Sequence, residues 1–214
     1  MKIEIVKNIL EANDQVALLN RETFNNLNVF TVNVMASPGA GKTSLILETI
    51  PRLNSSVAVI EGDVASSIDS EKVARFNIPV VQINTGGNCH LDASMIREAI
   101  NKLSLEGIRY LFIENIGNLI CPASFDLGEH IRIVISSVPE GDDKPYKYPG
   151  LFSTVDAVIL NKIDLLPYVD FNIEYFKNGI TAINKKAKIF PVSCKTDEGI
   201  DSWVEWLKGE DRYK

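Results

Sequence analysis

An apolar run, Val29–Met35, leads directly into Ala36-Ser-Pro-Gly-Ala-Gly-Lys-Thr43, and a helical pattern follows at once. This is the spacing of a phosphate-binding Walker A loop, with Ala36 where the first glycine usually stands. The short stretch Pro38, Gly39, Ala40 and Gly41 lets backbone N–H groups approach phosphate oxygens. Ser44 falls in the first helical turn, whose positive end faces the anion. Lys42 is expected to reach the β- and γ-phosphates, and the Thr43 hydroxyl to offer a hard oxygen to Mg²⁺. A plain glycine-containing turn is the competing reading; the strand before it and the helix after it weigh against that.

Six further apolar, β-branched runs recur along the chain: Val57–Glu61, Pro79–Ile83, Tyr110–Glu114, Ile131–Ser137, Val155–Leu160 and Lys188–Val192. Most are nearly continuous in apolar residues, as strands buried on both faces must be. Helical stripes lie between them. Ile96, Ala99, Ile100 and Leu103 form one, with Asp92 placed to cap it, and Ile200, Trp203, Val204 and Leu207 form another. Ile5, Ile9, Ala12, Val16 and Leu19 predict the buried face of a first helix over about residues 2–26. Trp203 and Trp206 are expected in or near the core. The alternation predicts a doubly wound α/β fold of the P-loop NTPase type, with a mostly parallel seven-stranded sheet and helices on both faces. No linker-like stretch divides the chain, so residues 1–214 are expected to form one domain, and Glu140–Gly150 is its expected irregular loop.

Composition closes other doors. At 45% hydrophobic and 23% charged residues the chain is globular, not disordered. Its net charge of −6 argues against a nucleic-acid partner. No apolar run is long enough to span a bilayer, and no signal peptide is evident, so the cytoplasm is the expected compartment and no membrane is an expected partner.

Two elements point to the base. Val155–Leu160 runs into Asn161-Lys162-Ile163-Asp164, similar to the N-K-x-D element of GTPases. The Asp164 carboxylate can accept two N–H bonds from guanine, which adenine cannot supply. Asn161 can bond the other side of the ring and the Lys162 stem can cover its face. Ser193-Cys194-Lys195 resembles the S-A-K element that closes over guanine, with Cys194 as a packed small side chain. Asp63 and Glu114 end strands, where ligands of open α/β sheets lie, and both can face the Mg²⁺ beside Thr43. Glu114-Asn115-Ile116-Gly117 looks like a D-x-x-G switch with Glu for Asp; Asp69 falls in the stretch of the other switch. Asp63, Asp69 and Glu114 are all candidates to assist the reaction, and the sequence leaves open which of them positions water.

The three cysteines are Cys89, Cys121 and Cys194. An odd, sparse set suggests thiols or metal ligands before disulfides. Cys89-His90 precedes the helix opened by Asp92, and a helix N-terminus favours the thiolate. With Cys121 the pair makes a borderline-soft set suited to Ni²⁺ or Zn²⁺. The spacing is no standard zinc motif, so buried cysteines and an ordinarily bonded histidine remain the competing reading. His130 is expected in ordinary hydrogen bonding.

The segments EGDVASSIDSEK, NTGGNCHLDA, LFIENIGNLICPASFDLGEH and SSVPEGDDKPYKYPG, with ASPGAGKT and NKIDLLP, resemble the HypB family of hydrogenase nickel-incorporation proteins from about Val29 onward. The resemblance implies slow GTP hydrolysis by direct attack of water, with GTP/GDP and Mg²⁺ in the site. It implies a GTP-favoured homodimer, an inter-subunit metal site at Cys89, His90 and Cys121, and a role in nickel insertion. A HypA-like nickel chaperone and the hydrogenase large subunit are the implied partners. Lys147 is a candidate to reach a neighbouring subunit's nucleotide. Three other readings stand beside this one: a urease-accessory-type GTPase, which carries a compact C-P-H element absent here; a zinc-binding structural module without GTPase activity; and an ATPase, against which Asp164 argues.

Overall fold

The computed structural model describes residues 5–63 and 78–211, with the backbone alone for residues 5–7 and 63. Among these residues the strands are β1 (Phe30–Ala36), β2 (Val57–Asp63), β3 (Val80–Asn84), β4 (Tyr110–Gly117), β5 (Ile131–Ser137), β6 (Ala157–Asn161) and β7 (Lys188–Pro191). They form one sheet in the order β3-β2-β4-β1-β5-β6-β7, and every pairing is parallel. All seven expected strands are present. β4 runs on past Glu114 to Gly117 because Asn115 and Ile116 are also buried, and its register with β1 shifts between Val34 and Ala36.

Strand alternation sorts the core into two sides. Val32, Val34, Val59, Phe112 and Ile133 pack with helices α2 (Lys42–Leu53) and α7 (Ile200–Asp211). The intervening residues Ile60, Leu111 and Ile113 pack with α1 (Ile5–Asn26) and α3 (Ala93–Lys102), while Met35, Val134 and Val158 pack with α6 (Ile173–Ile183). Asp92 caps α3 by accepting from the Met95 N–H at 2.8 Å. Ile200, Trp203, Val204 and Leu207 are all buried, as their spacing requires, and Trp206 packs against the same core.

The buried indole of Trp203 donates to Thr49 Oγ1 at 2.9 Å. Trp203→Phe should therefore destabilise the chain by about 2 kcal/mol, through the lost hydrogen bond and the space the smaller ring leaves. A urea titration should show a lower midpoint with an unchanged slope.

Helix α1 departs from its expected orientation. Ile9 is 53% and Leu19 52% exposed, and the inward face is Asn13, Ala17, Asn20 and Phe24. The reason is polar. Asn13 accepts from the Ala93 N–H and donates to the Asp126 carbonyl, while Asn20 donates to the carbonyls of Ala93 and Leu127. These amides satisfy loop backbone that is otherwise buried, so they must point inward. Gly128 (φ +91°) lies against the helix, where a Cβ would come within 2.6 Å of the Ala17 carbonyl oxygen.

The segment Glu140–Gly150 is also more regular than expected. A 3₁₀ turn at Val138–Glu140 is fixed by a capping box in which Glu140 accepts from both the N–H and the hydroxyl of Ser137 at 2.8 Å. Short helices α4 (Lys144–Lys147) and α5 (Pro149–Phe152) follow, each with proline in its first turn, where that ring is pre-organised. No helix among the described residues is long and apolar enough to cross a membrane.

Candidate functional site

Strand order reverses at β1, and the crevice outside the strands' C-terminal ends at that point is where open α/β sheets bind ligands. β1 delivers the phosphate loop there. Gly39 and Gly41 both take positive φ, +76° and +109°, and a Cβ on Gly41 would collide with the Asn161 amide. α2 begins at Lys42, so its free N–H groups face the crevice. β6 brings in Asn161 and β7 the Ser193–Lys195 turn.

These strands meet in a cleft of about 430 Å³ lined by Gly39, Gly41, Ser44, Asn161, Lys162, Asp164, Cys194 and Lys195, with Leu165 beside them. Leu165 had no signal in the sequence beyond its place after Asp164. The Asn161 amide is already engaged: Nδ2 donates to the Ala40 carbonyl at 2.9 Å, and Oδ1 accepts from the N–H of Lys162 at 2.7 Å and of Cys194 at 3.3 Å. One donor hydrogen remains for a base. Lys162 Nζ donates to the Gly39 carbonyl at 2.7 Å, which lays its stem across the cleft. Ser193 Oγ donates to Asp164 at 2.7 Å and accepts from the N–H groups of Lys195 and Thr196. The carboxylate is thus oriented with lone pairs to spare. Burial pushes the Cys194 thiol up to about 11, so it remains a neutral packed side chain.

Thr43 donates to Glu114 at 2.9 and 3.1 Å from its two oxygens. Two hard oxygen donors in contact, one charged, fit a Mg²⁺ site. Asp63 ends β2, in register with Asn84; Asp69 lies outside the described residues. Gly117 passes close to the phosphate loop, where a Cβ would lie 2.9 Å from Pro38. Lys147 pairs with Asp143, the residue that precedes its helix.

Cys89, His90 and Cys121 come together although 31 residues separate Cys89 from Cys121 on the inside. Their ligand atoms all lie within 4.8 Å of one another. Cys89 Sγ donates to Cys121 Sγ at 2.8 Å and lies 3.6 Å from His90 Nδ1. His90 stacks on Phe125, with ring centroids 3.9 Å apart. Phe125 was not singled out in the sequence, where an aromatic four residues past Cys121 reads as core. The Cys89 thiol lies above its ordinary value, first through its hydrogen bond to Cys121. The helix begins only at Ala93, and the helix-end field is felt only in the first turn. Burial holds His90 below its ordinary value, with Asp92 opposing, so its imidazole is neutral and offers a lone pair. Two sulfurs and a neutral imidazole fit a borderline-soft divalent ion and leave coordination positions open. His130, by contrast, is hydrogen-bonded to Thr31 and Asn25.

Fold and site together define a P-loop nucleotide-binding protein that also carries a thiol–imidazole cluster. The CobW/HypB/UreG nucleotide-binding domain family matches residues 30–191. Hydrogenase maturation factor HypB of Rhizobium leguminosarum is 45% identical over 208 residues, covering 96% of this chain and 70% of that protein. The crystal structure of hydrogenase maturation factor HypB from Archaeoglobus fulgidus superposes with a TM-score of 0.88 at 40% identity, over 94% of this chain and 99% of the other. That of HypB from Helicobacter pylori in complex with nickel gives 0.91 at 35% identity, over 94% and 96%. The chain belongs to the CobW/HypB/UreG family and, within it, to the HypB hydrogenase maturation factors.

Proposed function

We propose that this chain is a GTP-hydrolysing nickel metallochaperone that helps insert nickel into [NiFe]-hydrogenase, acting in the cytoplasm as one nucleotide-binding domain. The observation that carries the reading is a single continuous segment. β4 holds Glu114 against Thr43 of the phosphate loop, and the same chain, seven residues on, places Cys121 beside Cys89 and His90. A nucleotide that moves the strand end moves a metal ligand too. Nickel binding by the H. pylori relative supports Ni²⁺ as the cargo; Zn²⁺ suits the same donors.

In the catalytic part of this reading, Pro38–Ser44 cradle the phosphates and Lys42 neutralises charge on the β- and γ-oxygens. Asn161, Lys162, Asp164 and the Ser193–Lys195 turn hold guanine. Thr43 and Glu114, with Asp63, would hold Mg²⁺, which when bound supplies further charge neutralisation at the transferring phosphoryl group. Asp63, Asp69 and Glu114 are the carboxylates available to orient water for direct attack. GTP favours a homodimer in which two facing sets of Cys89, His90 and Cys121 complete the metal site across the two-fold axis. Hydrolysis loosens that dimer and passes the metal on, with a HypA-like chaperone and the hydrogenase large subunit as the partners.

The test is to size the protein with GDP or a nonhydrolysable GTP analogue, with and without Ni²⁺, while counting bound metal. The expected result is a dimer with the analogue, a different Ni²⁺ affinity in the two nucleotide states, and at least a tenfold loss of affinity in Cys121→Ala. Unaltered metal stoichiometry and affinity in that variant would remove the site. Equal affinities with GDP and analogue would remove the coupling.

A further inference from the structure

A line of buried amides and charges runs behind the thiol–imidazole cluster, on the side of the sheet away from the phosphate loop. Successive strand residues point to opposite faces. Glu114 therefore turns toward Thr43, and Asn115, the next residue, turns the other way into the core, fully buried. Asn115 Oδ1 accepts from the N–H of Leu91 at 3.2 Å and of Ile116 at 2.9 Å. Leu91 directly follows His90. Asn115 Nδ2 donates to Asn33 Oδ1 at 3.2 Å, and Asn33 Nδ2 donates to Glu129 Oε1 at 3.1 Å. Glu129 is paired with Arg132, whose guanidinium donates to the carbonyls of Ala123 at 3.4 Å and Phe125 at 3.3 Å. Those two carbonyls belong to the turn that follows Cys121, and Phe125 is the ring on which His90 stacks.

The line thus leaves the backbone beside His90, crosses β4 and β1, and returns to the turn that carries Cys121. Each member is held by its neighbours, and a buried polar group that loses its partner is costly, so the members shift together or not at all. Neither the phosphate loop nor the metal donors take part in it directly.

We propose that Asn115 is the positioning residue that carries nucleotide state from Glu114 to the Cys89–His90–Cys121 cluster, with Asn33, Glu129 and Arg132 as the arm that fixes the opposite side of that cluster. This rests on the nucleotide-coupled metal binding proposed above. A shift of the β4 end moves the acceptor of the Leu91 N–H and so the backbone of His90. The Arg132 arm holds the Cys121 turn while this happens, which changes the spacing of the donors.

Ni²⁺ alone is the probe, its affinity read from thiolate-to-nickel charge-transfer absorbance in the full chain with GDP and with a nonhydrolysable GTP analogue. In the unaltered protein the two affinities should differ at least tenfold. In Asn115→Ala the ratio should fall to within twofold of one, with nucleotide affinity within threefold of its starting value and Ni²⁺ stoichiometry unchanged. Asn115→Asp keeps an acceptor for the Leu91 N–H and should retain more of the ratio. Arg132→Lys keeps the charge beside Glu129 but loses the fork to the two carbonyls, and should lower the ratio. A full ratio in Asn115→Ala overturns the inference, as does an equal loss of Ni²⁺ binding in both nucleotide states, which is what a mere scaffold residue would give. If Asn115→Ala does not fold, a full ratio in both Asn115→Asp and Arg132→Lys overturns it. A ratio of one in the unaltered protein removes the coupling itself, and this inference falls with it; loss of the ratio in the variants alone leaves the coupling standing.

Discussion

Lys42→Ala should lower the single-turnover rate of GTP hydrolysis by about 10²–10³-fold, the usual cost of removing one donor aimed at charge that develops in a transition state. Lys42 opens α2, immediately after Gly41 turns the chain through its left-handed conformation. The side chain adds a full positive charge to the partial charge of the helix end, and the two act on the same oxygens. Alanine is a good helix former, so α2 should survive the change. Circular dichroism should be unaltered and guanine-nucleotide binding weakened rather than abolished, because the loop amides remain. A variant that hydrolyses GTP at the original rate would show that the loop serves binding alone.

Asp164→Ala should cost GTP affinity by about 10²-fold or more, since two hydrogen bonds to a charged acceptor are lost at roughly 1.5–3 kcal/mol each. It should also erase the preference for GTP over ATP. The geometry makes this effect specific to the base. Asp164 is oriented by Ser193, whose hydroxyl also collects the N–H groups of Lys195 and Thr196, and none of these bonds involves the phosphate loop. Competition titrations with GTP, GDP and ATP provide the measurement. Retained discrimination against ATP would mean that the purine is read elsewhere in the cleft.

The sheet was legible because its five inner strands are buried on both faces, which leaves long apolar runs that polar or amphipathic elements cannot imitate; the edge strands β3 and β7 are only partly covered. The candidate nucleotide residues were legible because each lies at or soon after the end of a strand, so local order alone places them at one edge of the sheet. The candidate metal donors were different. Cys89 lies beyond β3 and Cys121 beyond β4, strands separated in the sheet by β2. Only the path of the chain from Asn84 back across β2 brings the two sulfurs together, and residue spacing carries no trace of that path. Helix α1 misled for another reason. A count of apolar residues finds Ile9, Val16 and Leu19, but the contact is made by Asn13, Ala17, Asn20 and Phe24, whose amides bond to the loops around Ala93 and Asp126. The same blindness hides the burial of Asn33, inside an apolar run, and of Asn115, just past one.

The double engagement of Asn161 has a consequence for how such a site can change over evolutionary time. Its amide braces the Ala40 carbonyl on one side and the Cys194 N–H on the other. On the proposed assignment, the half of the cleft that would choose the purine is therefore built onto the half that would grip the phosphates. A lineage drifting toward a different purine could alter Asp164 alone, but any substitution at Asn161 would loosen both grips in a single step. Discrimination at this position is protected by the damage its loss would do next door.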